Sequence, residues 1–212
     1  MFTCSDLAVA RGGQPVLREL TLELIAGDLI ALVGPNGSGK TTWLEAIAGL
    51  APISDGRLHL MGERIDELPA FARAQRGIRL IRDRNMVFPN LTLAENLGAF
   101  QTRQAREGIR RQVALEELGL PSLDSAREAG ALSGGQKRIL ATLSALEAQP
   151  RVLLADEFSE GLQQSVVNGL LERVRERCRQ GMAGVLVVHS EAFARERGLV
   201  VYTILEGALR RV

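Results

Sequence analysis

Residues 34 to 42, GPNGSGKTT, fit the spacing G-x-x-x-x-G-K-[ST] of a phosphate-binding loop. Gly34 opens it, Pro35, Asn36, Gly37, Ser38 and Gly39 make its turn, and Lys40, Thr41 and Thr42 lead into the next element. Glycines let main-chain N–H groups turn inward on a polyphosphate, and a helix N-terminus behind them adds a positive end. Lys40 then supplies the point charge expected at the β- and γ-phosphates of a nucleoside triphosphate, and the Thr41 hydroxyl is suited to Mg²⁺. A glycine-rich surface turn is the competing reading of the same residues.

Two further groups could act on a bound phosphate. Asp156 and Glu157 are adjacent carboxylates directly after the apolar run VLLA. Asp156 could hold Mg²⁺, and Glu157 could orient or deprotonate the attacking water for in-line phosphoryl transfer. His189 follows a second apolar run, GVLVV, in the position that parallels Asp156, where it could contact the γ-phosphate. Taken alone, an acidic pair or a single histidine is as often structural, and His59, inside an alternating segment, is read that way. Residues 132 to 136, LSGGQ, precede a helix: Ser133 can cap it, and Gly134 and Gly135 free backbone N–H groups for an anion, with Gln136 alongside. A plain cap and turn is the alternative.

These groups need elements to hold them. Asp28–Val33 is a short apolar run between glycines, which predicts a buried strand, and Thr42–Leu50 spaces Trp43, Ile47 and Leu50 as a helix with Gly49 near its end. VLLA at 152–155 and GVLVV at 184–188 are continuous rather than alternating, as suits strands covered on both faces of a parallel sheet. Residues 1 to 33 read as strands and turns, as do GRLHLMG at 56–62 and GIRLI at 77–81. Between 93 and 118 the spacing becomes helical through Leu93, Leu97 and Phe100, then Ile109, Val113 and Leu118; Pro121 closes the region. A helix after LSGG runs to about Glu147, before Pro150. The result is an α/β core with a helical insertion.

Bulk composition bounds the function. At 212 residues, 46% hydrophobic and 24% charged, the chain has an ordinary globular make-up, and a formal charge of +1 gives no reason to expect nucleic acid. The basic stretch RERCR at 175–179 reads as a solvated helix face. Cys4 and Cys178 form no C-x-x-C, so a reduced cytoplasmic setting is expected. The N-terminal residues lack a basic leader region, and no apolar run approaches the roughly 18 residues that span a bilayer.

GPNGSGKTT, LSGGQ, VLLADE and His189, in that order, resemble the nucleotide-binding subunit of an ATP-binding cassette (ABC) protein over nearly the whole chain. The resemblance implies an α/β P-loop NTPase (RecA-like) core with a mostly parallel sheet, an N-terminal antiparallel β subdomain and a helical insertion. It implies one ABC ATPase domain over 1–212, with 1–82 and 150–212 as the core and 83–149 as the helical subdomain. Its cofactors would be ATP and Mg²⁺. Its partners would be a second ABC subunit, identical or related, and separate transmembrane permease subunits that hold it on the inner face of the cell membrane. Each nucleotide would lie between one subunit's P-loop and the other's LSGGQ, so that Ser133, Gly134, Gly135 and Gln136 act in trans. NMVFPNLTLAENL at 85–97 and DEFSEGLQQSVV at 156–167 further resemble the ATPase subunits of branched-chain amino acid, urea or amide importers. Similar segments occur in cassettes serving lipid- or heme-related export.

Four positions depart from the family pattern. Asp83 stands where most members have a glutamine that senses Mg²⁺ and the permease; it can still coordinate Mg²⁺ but cannot donate an amide hydrogen bond. Arg11 replaces the aromatic residue that stacks on adenine, and a planar guanidinium can stack there too. Gln163 follows the catalytic loop in place of the usual aspartate, and Phe158 takes the place of a proline. Arg11, Asp83 and Gln163 favour a non-catalytic nucleotide-binding partner; Lys40, Asp156, Glu157 and His189 favour hydrolysis. An apolar docking surface at Met86, Val87, Phe88 and Leu91 is one reading of that segment, and local packing the other.

Overall fold

The computed structural model describes residues 1–11, 14–82, 87–99, 118–120 and 126–212, with the side chain of Arg11 left aside. Continuous apolar runs become its central strands. β1 (Phe2–Arg11), β2 (Gln14–Leu24), β4 (Asp55–Leu60) and β5 (Glu63–Arg64) form an antiparallel sheet in the order β2-β1-β4-β5. The second sheet runs β10-β9-β3-β8-β7-β6 and contains β3 (Leu29–Val33), β6 (Ile78–Ile81), β7 (Val152–Ala155), β8 (Ala183–Val187), β9 (Val200–Leu205) and β10 (Ala208–Arg211). Every pairing in it is parallel except that of β10 with β9. The described helices are α1 (Lys40–Ala48), α2 (Ala70–Gln75), α3 (Leu93–Gly98), α4 (Gly134–Glu147), α5 (Gln164–Arg179) and α6 (Glu191–Glu196).

The mainly parallel sheet is buried on both faces, which is why its strands do not alternate. Ile30 and Leu32 of β3 join one core with Trp43, Leu44 and Ile47 of α1 and the inward face of the antiparallel sheet. Ala31 and Val33 join the opposite core, with Ile139 and Leu143 of α4 and Leu170 and Val174 of α5. β7 divides the same way: Val152 and Leu154 face the first core, Leu153 and Ala155 the second. Burying both faces removes a one-residue slip as a cheap error, because that shift sends each side chain to the opposite core.

The predicted strands and helices are found to within a residue or two for the P-loop strand, its helix, VLLA, GVLVV and the helix to Glu147. The predicted helical spacing at Leu93 and Leu97 falls in α3, and Leu118 is buried; Phe100, Ile109, Val113 and Pro121 lie outside the described residues. α2, α6, β9 and β10 went unassigned from sequence. No helix among the described residues is long and apolar enough to cross a membrane.

Candidate active site

The phosphate loop bridges β3 and α1, whose N-cap is Gly39 at φ 98°, a left-handed conformation that excludes side chains at little cost only to glycine. A Cβ there would also approach Leu17 Cδ2 to 2.5 Å. α1 has no side-chain cap and no acidic residue in its first turn, so its leading N–H groups are left for an anion. The buried Ser38 hydroxyl likewise finds no partner among the described residues. Lys40 Nζ donates to the Gly34 and Pro35 carbonyls, each at 2.8 Å, which holds its ammonium at the mouth of the loop. Burial lowers the Lys40 pKa, and the charges of Asp156 and then Glu157 oppose that shift.

Residues 115 positions apart meet beside it: Thr41 Oγ1 donates to Asp156 Oδ2 at 2.7 Å. Asp156 is buried at the C-terminal end of β7, where its N–H donates to Ile81 O of β6. A hydroxyl and a carboxylate held together are hard oxygen donors, the set Mg²⁺ prefers. Asp83, the third expected ligand, lies outside the described residues.

Glu157 takes φ 49°, a strained left-handed turn immediately after the strand. Its carboxylate, that of Glu160 and the ring of His189 offer ligand atoms all within 4.8 Å of one another. His189 Nε2 is 3.3 Å from Glu160 Oε2. Hydrogen bonding with Glu157, and next with His189, holds the Glu160 carboxyl below its ordinary range. Phe158 explains its own presence: its side chain is buried in the core and its N–H donates to Val187 O of β8 at 3.0 Å. Proline has no such donor. Gln163 is the N-cap of α5 but makes no side-chain cap bond.

Sequence reasoning missed two members of this site. Glu160 sits three residues beyond Glu157, and that spacing was the available signal. Arg138, on α4, donates from Nη1 to the carbonyl of Glu157 and, at 3.3 Å, to that of Asp156. Nothing in the local sequence distinguishes Arg138 from a solvated helix residue.

Ser133 caps α4 in a reciprocal box: Gln136 N donates to Ser133 Oγ at 3.3 Å, and Ser133 N donates to Gln136 Oε1 at 3.1 Å. Gln136 Nε2 also donates to Gly119 O at 2.9 Å. Among the described residues no hydrogen bond or ion pair joins Ser133, Gly134, Gly135 or Gln136 to the chain's own phosphate loop. Arg11 ends β1, and its side chain is not described.

An anion loop on a strand-to-helix turn, a hydroxyl–carboxylate pair and a strained glutamate at the carboxyl ends of parallel strands define a P-loop NTPase site. The profile of the ABC transporter family matches residues 17–160. This chain belongs to that family and is an ATP-binding subunit of its kind, an ABC-type ATPase. It is 30% identical over 199 residues to the glutamate transport ATP-binding protein of Corynebacterium efficiens, covering 91% of this chain and 82% of that protein. It is 33% identical over 161 residues to a probable branched-chain amino acid transport ATP-binding protein of Archaeoglobus fulgidus, covering 75% and 68%. Against a probable ABC transporter ATP-binding protein of Azorhizobium caulinodans, at 30% identity over 87% of this chain, it spans only 66% of that protein's length. A solved ATP-binding subunit of an ABC transporter superposes with a TM-score of 0.85 at 26% identity, covering all of this chain and 89% of that one.

Proposed function

We propose that this chain hydrolyses ATP as one half of a cassette dimer and so powers a membrane transporter that imports amino acids or related small polar solutes. The observation that carries this reading is the convergence of Glu157, Glu160 and His189 within 4.8 Å beyond the ends of β7 and β8, next to the Asp156 that β7 presents to Thr41. The phosphate loop binds the triphosphate through its N–H groups and Lys40. Thr41 and Asp156 would hold Mg²⁺, which would supply positive charge against the phosphate oxygens. In this reading Glu157 orients the attacking water and takes its proton, and His189 donates to a γ-phosphate oxygen. The cassette is read as one domain, 1–82 and 150–212 forming the core and 83–149 the helical part. The names of the amino acid transport relatives, with the DEFSEGLQQSVV segment, support the solute class.

The signature segment, Ser133 to Gln136, makes no hydrogen bond or ion pair with its own phosphate loop among the described residues, and this reading assigns it to a second subunit's nucleotide. The same reading assigns permease docking to a groove on the surface. A groove of ≈ 440 Å³, mostly apolar, is lined by Leu50, Phe71, Ala74, Leu80, Arg82 and Ala145. Leu50 and Phe71 are 52% and 69% exposed on its rim. This groove is a better docking surface than the segment read from sequence: Val87 packs on the core, although Phe88 is exposed, and Met86 lies outside the described residues.

The test is Glu157→Gln. Turnover should fall by about 10²- to 10⁴-fold, the usual worth of a positioned base, while ATP binding persists and an ATP-bound dimer accumulates on gel filtration. Steady-state hydrolysis at the parental rate would remove Glu157 from the mechanism.

A further inference from the structure

We infer that Arg138 is a positioning residue for ATP hydrolysis: it fixes the turn that carries Glu157 and ties that turn to the helix bearing the signature segment. The inference rests on the reading of Glu157 as the water-activating base. Arg138 is only 6% exposed, yet it lies one helical turn from the exposed Gly134 at the N-terminus of α4. From there its Nη1 donates to the carbonyls of both Asp156 and Glu157, and its Nη2 stands 3.9 Å from Glu157 Oε2. A guanidinium presents its donors in a rigid fork, so one side chain fixes the direction of two successive peptides and lies beside the carboxylate they carry. Those are the peptides flanking the left-handed Glu157, whose φ of 49° relaxes unless its surroundings hold it.

A second contact makes the link continuous. A Cβ built on Gly135 would meet Gly161 O at 3.1 Å and Leu162 Cδ2 at 3.2 Å, so the signature turn packs directly on the loop that follows Glu157. α4 thus touches the catalytic loop at its N-terminal turn through Gly135 and one turn further through Arg138. Any displacement of α4 by a nucleotide held against Ser133 and Gly134 reaches the base of the chain's own site through these two contacts. The guanidinium needs to shift Glu157 by only a fraction of an ångström to matter, because general-base catalysis demands hydrogen-bond reach to the attacking water. Arg138 acts through Glu157.

The discriminating experiment compares Arg138→Gln and Arg138→Lys in the full chain, measuring kcat, ATP affinity by equilibrium binding, and the fraction of folded protein by circular dichroism. Arg138→Gln, too short to span both carbonyls, should lower kcat at least tenfold with ATP affinity within about twofold of the parent. Arg138→Lys, which keeps the charge and reaches one carbonyl, should recover part of that loss. Parental kcat in Arg138→Gln, or a kcat loss that matches the loss of folded protein, overturns the inference. Glu157→Gln run alongside separates the two readings. If it is inactive while Arg138→Gln turns over normally, only the role of Arg138 fails; if it turns over normally, the assignment of the base fails first.

Discussion

Arg73→Met should remove about 3 kcal/mol of stability, and the structure shows where that figure comes from. Arg73 is 3% exposed and its charge is spent on carbonyls: Nε donates to Leu68 O at 2.8 Å, Nη1 to Ala46 O at 2.7 Å and Ile47 O at 3.0 Å, and Nη2 to Asp66 O at 2.7 Å. Ala46 and Ile47 end α1, so the cation also faces the negative pole of the helix that carries Lys40 and Thr41 at its other end. A hydrogen bond from a charged donor contributes about 1.5–3 kcal/mol net when measured singly, and four that share one buried cation sum to less than four times that. Against that stands the guanidinium's desolvation, several kcal/mol per ion, which also lowers the Arg73 pKa. Ala46 O keeps a second donor, the N–H of Gly49 at 3.1 Å, so it is not orphaned by the substitution. Methionine preserves the packing of the stem, which leaves the lost bonds as the measured quantity. Urea unfolding should show a midpoint lower by about 1 M at unchanged slope, and the melting temperature should fall by about 6–12 °C. A loss below about 1 kcal/mol would refute the reasoning, because desolvation would then cancel the whole network.

Gly56→Ala should be more damaging than its surface position suggests: Gly56 has φ 92°, and a Cβ would meet Asp6 O at 2.5 Å and Leu7 Cα at 2.6 Å, both backbone, so urea unfolding should show a loss of about 3 kcal/mol or more. Burial pushes the Cys4 thiol up to about 12 and the Cys178 thiol to about 11, so neither should react with a disulfide reagent at pH 8 until the protein unfolds. The unfolded thiols ionise near pH ~8.5. The fold therefore holds protons the unfolded chain has lost: this contribution is intact below the unfolded pKa and declines as pH rises toward the folded values, and Cys4→Val should flatten part of that alkaline slope. Phe71→Asp should abolish co-purification with the permease subunits while leaving the ATPase activity of the isolated cassette in place; intact assembly would move the docking surface elsewhere.

What could be read from the chain and what could not divide along the range of the interaction. The phosphate loop is legible because its chemistry is local: the glycines, Lys40 and Thr41 act within nine consecutive residues, and the strand and helix beside them carry their own periodicity. VLLA and GVLVV announce buried parallel strands for the same reason, and the polar residues that follow them inherit a place at the ligand-binding edge. Arg73 and Arg138 look alike in sequence, each a basic residue within a helical stretch. Both are buried by carbonyls far along the chain, 27 residues away for Arg73 with Ala46 and 18 for Arg138 with Asp156, and main-chain acceptors leave no mark on residue type. Phe158 is the instructive case between these extremes. As a departure from proline it had no account in the sequence, yet its need is an N–H aimed at Val187 O, a requirement any residue but proline meets. The proline-free turn lets β8 hold the Glu157 loop from one side while Arg138 holds it from the other. The departure at Phe158 and the buried Arg138 act on the same turn, so the backbone at Glu157 is secured by bonds from neighbouring elements rather than by a rigid residue within it.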